Sequence, residues 1–439
     1  MTDKIKFNKQ VFDDVHKENI MATQNMVESM KDIGDYREAC TIAVISAVGD
    51  LFKDIFDAVD TGKKKIVMHE FMLAPEILRG FPDVQPYMAE CLTGVIPMMD
   101  PEGLNPYLEA AEAMVTSELC PAAKGFLGCI LKEAMPPLGA VVMPTTPCDS
   151  FGITYQVAEK LLDAPLYTID VPYWQDEQRN LDYYTDQVWK MIKFIEETCK
   201  TKMDWDLLRE VMKDSNETLE YWQADNEMRK IIPCPHGGKV NFYGFMLNFM
   251  GAGAKSVRDC WKFIYEDAKK LVAEKRGVVP GGEKARLLLY NPDPFWDAGI
   301  HDYLEDAYGT VTAFSFFGHA TPTPVETSTP EKMVRDYAWK CMNMCMARQY
   351  RGPMEYFMDD FTHVMDNWNI DGVVIPALLE CKHGQATHGW VSEACRERDM
   401  PLLLVEFSPM DNRPVSADVL HAKIGEWLET TVLPRNPRR

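Results

Sequence analysis

Apolar residues along this chain keep two different spacings, and the changes between them divide it into regions. VESMKDIGDYREACTIAVISAVGDLFKDIFDAV (27–59) repeats apolar positions every three or four residues, the period of an amphipathic helix, with an interruption near Gly34. KKKIVMHEFML (63–73) then gathers apolar residues into a run of strand length. APEILRG (74–80) follows as a short helix, with Pro75 near its start and Gly80 at its end. DPEGLNPYLEAAEAMVTSELC (100–120) predicts a helix ending near Cys120, and PAAKGFLGCILKEAM (121–135) predicts another that carries Cys129.

GAVVMP, FGITYQVAEKLLDA and PLYTIDVP (139–172) read as strand, helix and strand, a βαβ unit that implies a parallel sheet. From about 175 to 275 the spacing becomes that of long helices. After GVVPGGEK (277–284) the alternation returns, with strands at ARLLLYNP, TVTAFSFFG, DGVVIP and PLLLVEF. Between them fall helices over 295–309, about 330–350, 353–368 and 388–399, and a last helix covers 419–432. The expected fold is α/β, with two doubly wound, mostly parallel-sheet lobes, an N-terminal helical region and a central helical insertion. The boundaries are 1–60 for the helical region, 61–175 for the first lobe, 176–280 for the insertion or bridge and 281–439 for the second lobe.

Composition narrows what such a fold does. The 439 residues exceed what one hydrophobic core usually serves, which agrees with two lobes. No apolar run reaches the ~18 residues of a membrane span, and MTDKIKFNKQ lacks the pattern of a secretion signal, so a soluble, cytoplasmic protein is expected. A net charge of -21 with no basic stripe argues against nucleic acid and anionic membrane as partners. Twelve cysteines in a large cytoplasmic chain then read as free thiols or metal ligands rather than as a disulfide framework.

One feature occurs in both halves. GAVVMPTTPCDS (139–150) and DGVVIPALLECKHG (371–384) each run a strand into a proline and then a cysteine, and ligands bind beyond the carboxyl ends of strands in such sheets. Cys148 and Cys381, with Cys120 in SELCPAAKG, therefore form a candidate thiolate set for an iron-sulfur cluster. Cys40, Cys199, Cys260 and Cys395, each within a helix, read as packing residues, and so does Cys91. Cys341 and Cys345, at i and i+4 in WKCMNMCMARQ, share a helix face, either as ligands or as part of a methionine-rich core stripe. CPHGG (234–238) hints at zinc, but no second pair at matching spacing follows, and it reads as a turn with a structural cysteine. GxGxxG after a strand, GxxxxGK[ST], GxSxG and HExxH are all missing, so no dinucleotide, ATP or hydrolase site of the usual kind is expected. A Cys148 nucleophile with His383 or His388 as base lacks an identifiable oxyanion loop.

The ordered series KKKIVMHEFMLAPEIL, ELC, TTPCDS, a long helical insert, DGVVIPALLECKHG and PLLLVEFSPMDNRPVSADVLHAKIGEWLE resembles the 2-hydroxyacyl-CoA dehydratase and benzoyl-CoA reductase family over about residues 60–432. The resemblance implies a 4Fe-4S cluster on Cys120, Cys148 and Cys381, with one iron open. It also implies an acyl-CoA substrate, a separate ATP-hydrolysing iron-sulfur activator, and a homologous second subunit or a second copy of the chain as partner. The implied chemistry is one-electron reduction of the thioester to a ketyl-type radical, followed by loss of a hydroxyl or by ring reduction. Lys382, His383 and His388 would hydrogen-bond the cluster or its ligands, and Glu76, His69 or His383 would serve as acid or base. ECKHGQATHG is more basic than a dehydratase's third cysteine segment is expected to be. Cys129, Cys341 and Cys345 bring the set to six, the number used by a homodimeric branch with a double-cubane 8Fe-9S cluster. A cluster-free scaffold subunit is the non-enzymatic alternative.

Overall fold

The computed structural model describes residues 4–436 except 89, 174–176, 291, 298, 316–317, 320 and 379. Two parallel four-stranded sheets carry the fold. β1 (Lys65–His69), β2 (Val84–Met88), β3 (Leu138–Pro144) and β4 (Leu166–Ile169) lie in the order β2-β1-β3-β4. β5 (Ala285–Leu289), β6 (Thr310–Ser315), β7 (Gly372–Pro376) and β8 (Leu402–Val405) lie in the order β6-β5-β7-β8. The two orders are the same once the chain numbering is removed, so the halves repeat one topology, as the paired strand-proline-cysteine segments suggest. Parallel pairing forces each connection to cross over the sheet, and helices make these crossovers.

The helices Lys9–Ile33 and Ala39–Thr61 pack on each other, separated by Gly34, whose φ of 70° ends the first of them. The second also packs on Gly238–Gly251 and Lys255–Glu274, so the N-terminal helices and the central ones form a continuous helical body. Gly238–Gly251 is buried along its whole length, which its apolar and aromatic residues on every face require. One core runs through both sheets and this body. A smaller core lies on the other face of the second sheet: Leu288 and Val373 point into the first, their neighbours Leu287 and Val374 into the second.

Three local expectations are corrected. β2 and the helix Cys91–Met99 were not anticipated, because VQPYM contains Pro86, tolerated here since β2 is an edge strand. The helix expected to reach Cys120 spans only Asn105–Glu112. Beyond it Lys124 donates to the Ser117 carbonyl at 2.6 Å and to Glu112 Oε1 at 2.9 Å, fixing a loop that delivers Cys120 to the next helix. The helix expected over 330–350 breaks into Pro330–Asn343 and Ala347–Tyr350, with Met346 at φ 66° between them. Cys341 and Cys345 therefore do not share a helix face.

Candidate functional site

Cys148 and Cys381 follow β3 and β7, the strands that hold the same place in their two sheets. Each is the N-cap of the next helix, Asp149–Leu161 and Lys382–Glu397 respectively. Cys120 is the N-cap of Pro121–Leu131, with proline at the first helical position. Three thiols thus sit against three helix N-termini, where unpaired amides and the helix dipole favour negative charge. Cys381 Sγ accepts from the Gly384 amide at 3.3 Å. The amides of Ala122 and Ala123 favour the Cys120 thiolate, and those of Phe151 and Ser150 the Cys148 thiolate.

Burial works the other way. It pushes all three thiols up, Cys381 to about 11, and the charges of Cys148 and then Cys381 raise Cys120 further. That mutual effect requires the three sulfurs to converge. Three half-buried thiols that repel one another as thiolates, yet each face amide donors, are a donor set suited to a shared cation or metal cluster.

All three line one cleft, whose empty space is ≈ 1350 Å³ including its open mouth. Its walls come from both halves and from the buried central helix: Phe71 and Phe151, Phe245 and Phe249, Phe295 and Met410. Tyr350 also lines it, its ring 5.4 Å from that of His383.

Glu90 faces the same cleft. Its Oε1 accepts from the Tyr155 hydroxyl at 3.2 Å, and its other oxygen is buried without a partner among the described residues. Glu70, at the end of β1, accepts from the Met72 amide at 2.7 Å. Burial pushes both carboxyls up, and the charge of Glu90, then that of Cys148, adds to the rise at Glu70. The pair therefore holds a proton at neutral pH beside the cysteines.

Of the other residues singled out in the sequence, Lys382 and His383 line the cleft, and burial lowers His383. The rest do not. Glu76 is fully buried in an ion pair with Lys340, and Ser215 Oγ donates to it at 2.7 Å. Burial would raise its carboxyl, but Lys340 and Ser215 outweigh that and hold it below the usual range. His69 is fully buried, with Nδ1 3.1 Å from the Glu70 carbonyl oxygen, and burial pushes it down to about 4. His388, within the Cys381 helix, does not line the cleft, and its Nε2 is buried. Cys129 is in the core near Cys91 and Tyr87. Cys341 is near Tyr337 and Tyr184, and Cys345 lines a separate small cavity with Lys340 and Trp222. The cleft gathers three of the six cysteines.

Sequence reasoning did not find Glu70, Glu90 and Tyr350 as cleft residues. Glu70 carried one signal, its place at the end of a strand beside His69; MAECLTG offers none for Glu90. The cap role of Cys120 was readable from the proline that follows it.

The family model described as 2-hydroxyglutaryl-CoA dehydratase, D-component, matches residues 91–430, a span that holds all three cleft cysteines. The (R)-phenyllactyl-CoA dehydratase alpha subunit of Clostridium sporogenes is 28% identical over 145 residues, which is 32% of this chain and 36% of that protein. The chain thus spans little more than a third of the length of this curated relative. Among the described residues no helix is long and apolar enough to cross a membrane.

Proposed function

We propose that the chain, which belongs to the 2-hydroxyglutaryl-CoA dehydratase D-component family, is the cluster-bearing component of an enzyme that removes water from a 2-hydroxyacyl-CoA. One observation carries this reading: Cys120, Cys148 and Cys381 cap three helices around one largely apolar cleft shared by both sheets. A 4Fe-4S cluster bound by these three would supply one-electron reduction and an iron with a coordination position open to substrate oxygen.

The chain's own residues would do the rest. The amides of the three first turns bear the negative charge of the thiolates. Phenylalanine rings exclude water and leave room for an apolar or aryl acyl group, in keeping with the aryl substrate in the relative's name. Loss of the 2-hydroxyl and a 3-proton as water consumes no electrons overall and needs a group that takes one proton and gives one back. Glu90, which lines the cleft and whose carboxyl burial raises to about 8, has both the position and the raised affinity for that task. Lys382 and His383 stand beside the third thiol and would hydrogen-bond the cluster or substrate. An ATP-hydrolysing iron-sulfur activator would deliver the low-potential electron, which accords with the missing GxxxxGK[ST] loop, and a homologous second subunit would complete the enzyme.

Iron and acid-labile sulfide measured per chain after anaerobic isolation test the reading. About four irons are expected, lost in Cys148→Ser and in Cys381→Ser. Iron that survives both substitutions would remove the ligand assignment, and about eight irons would favour the double-cubane branch.

A further inference from the structure

Outside the cleft, a second constellation lies in the helical body. Cys40 begins the helix Ala39–Thr61, His236 sits in the turn before Gly238–Gly251, and Asp267 projects from Lys255–Glu274. Their donor atoms form a small triangle: Cys40 Sγ to His236 Nε2 is 3.4 Å, Cys40 Sγ to Asp267 Oδ2 is 3.7 Å, and His236 Nε2 to Asp267 Oδ2 is 3.2 Å. A tetrahedral zinc with thiolate, imidazole and carboxylate ligands has faces with edges of about 3.5 Å from sulfur to nitrogen or oxygen and about 3.3 Å from nitrogen to oxygen. The observed triangle matches such a face within a few tenths of an ångström.

The imidazole is also held as a metal ligand's is. Its other nitrogen, Nδ1, lies 2.8 Å from Asp225 Oδ1, a carboxylate that is fully buried and fixed in turn by Arg229 Nε at 2.9 Å. Arg229 also donates to the carbonyls of His236 and Gly237, at 3.2 and 3.0 Å, so the turn itself is braced. A carboxylate on the distal nitrogen fixes the tautomer and aims the free nitrogen at the metal. Cys40 and His236 are buried, whereas the Asp267 side chain is 20% exposed, which leaves a solvent path for a fourth, water ligand.

We propose that Cys40, His236 and Asp267 bind one zinc ion that ties the N-terminal helices to the central helical body, independently of the cleft cysteines. On binding, the Cys40 thiol and the His236 Nε2–H each release a proton to solvent, His236 coordinates as the neutral ring with its Nδ1–H donated to Asp225, and no electrons move. Thiolate with imidazole and carboxylate selects zinc over magnesium or calcium, which take oxygen ligands. The sequence reading had assigned Cys40 to packing and CPHGG to a turn, because the partners lie 196 and 227 residues from Cys40 and no local spacing joins them.

The test uses the full chain isolated anaerobically with its iron retained. Elemental analysis should find about one zinc per chain, lost in Cys40→Ser and in His236→Gln while iron and sulfide stay at the wild-type level. Absorption fine structure at the zinc edge of the unmutated chain should show one sulfur at about 2.3 Å with nitrogen and oxygen neighbours completing a coordination of four. Absence of stoichiometric zinc, zinc that survives both substitutions, or a shell with no sulfur or with several would overturn the proposal. The edge measurement needs no variant to fold. Iron and zinc are counted separately, so failure here and failure of the cleft assignment are told apart.

Discussion

Glu76 and Glu90 are both buried glutamates of the first half, and their surroundings give them opposite characters. Lys340 and Ser215 keep Glu76 charged, whereas burial raises the Glu90 carboxyl to about 8 and so favours its protonated form at neutral pH. Removing one partner of a buried ion pair leaves the other charge unpaired, at a cost of about 3–5 kcal/mol. Glu76→Ala should therefore lower the unfolding free energy measured by urea titration by an amount of that order, while folded protein keeps its iron; loss of iron without loss of stability would move Glu76 into the site. Glu90→Gln preserves shape and the Tyr155 contact but cannot exchange a proton. With activator and a 2-hydroxyacyl-CoA it should lower turnover by about 10²-fold or more at unchanged iron content. Turnover within a few-fold of wild type would remove Glu90 from the proton path.

At the scale of elements, helix starts position the chemistry, and helix packing positions the starts. Gly128 shows the dependence. A Cβ there would lie 2.0 Å from the Tyr107 carbonyl oxygen of the neighbouring helix, so Gly128→Ala must push apart Asn105–Glu112 and Pro121–Leu131, whose cap is Cys120. A loss of about 1–3 kcal/mol and reduced iron per chain are expected. Gly152, one turn into the Cys148 helix, would meet nothing within 4 Å. Gly152→Ala should leave iron unchanged and raise stability by about 0.5–1 kcal/mol through helix propensity. Equal effects of the two substitutions on iron would contradict the packing account. The same elements divide what was legible in the sequence from what was not. Strand period and the strand-proline-cysteine pattern are local, and they led to the two sheets and to Cys148 and Cys381. β2 was hidden by Pro86, and the break at Met346 by an unbroken helical pattern. Glu90 pairs with Tyr155 across 65 positions and Glu76 with Lys340 across 264, and such partnerships leave no trace in any short window.

For the whole molecule, the balance of buried ionisable groups sets the pH at which the fold is firmest. Burial lowers His16 and His69 from 6.5 to about 4, so between about pH 4 and 6.5 the unfolded chain binds two protons that the folded chain refuses. Their contribution is complete above 6.5 and is lost as pH falls through that window. Glu305 has the reverse sign. Burial, and then the charge of Asp302, raises it from 4.5 to about 8, so above 4.5 the folded chain keeps a proton that the unfolded chain has released, and stability falls as pH rises towards 8. Glu70 and Glu90 add to that alkaline limb. Between pH 4.5 and 6.5 the two histidines are offset by the protons that Glu305 and the Glu70–Glu90 pair keep, and above 6.5 the histidines no longer oppose these acids. Stability should therefore change little between pH 4.5 and 6.5 and decline above 6.5, by about 1.4 kcal/mol per pH unit for each proton in excess. Urea midpoints across pH 4.5–8.5 check this: Glu305→Gln should make the alkaline limb shallower and tilt the 4.5–6.5 segment towards rising stability. A curve that rises monotonically to pH 8.5, or an alkaline limb unchanged by that substitution, would show that these buried groups do not govern the pH dependence.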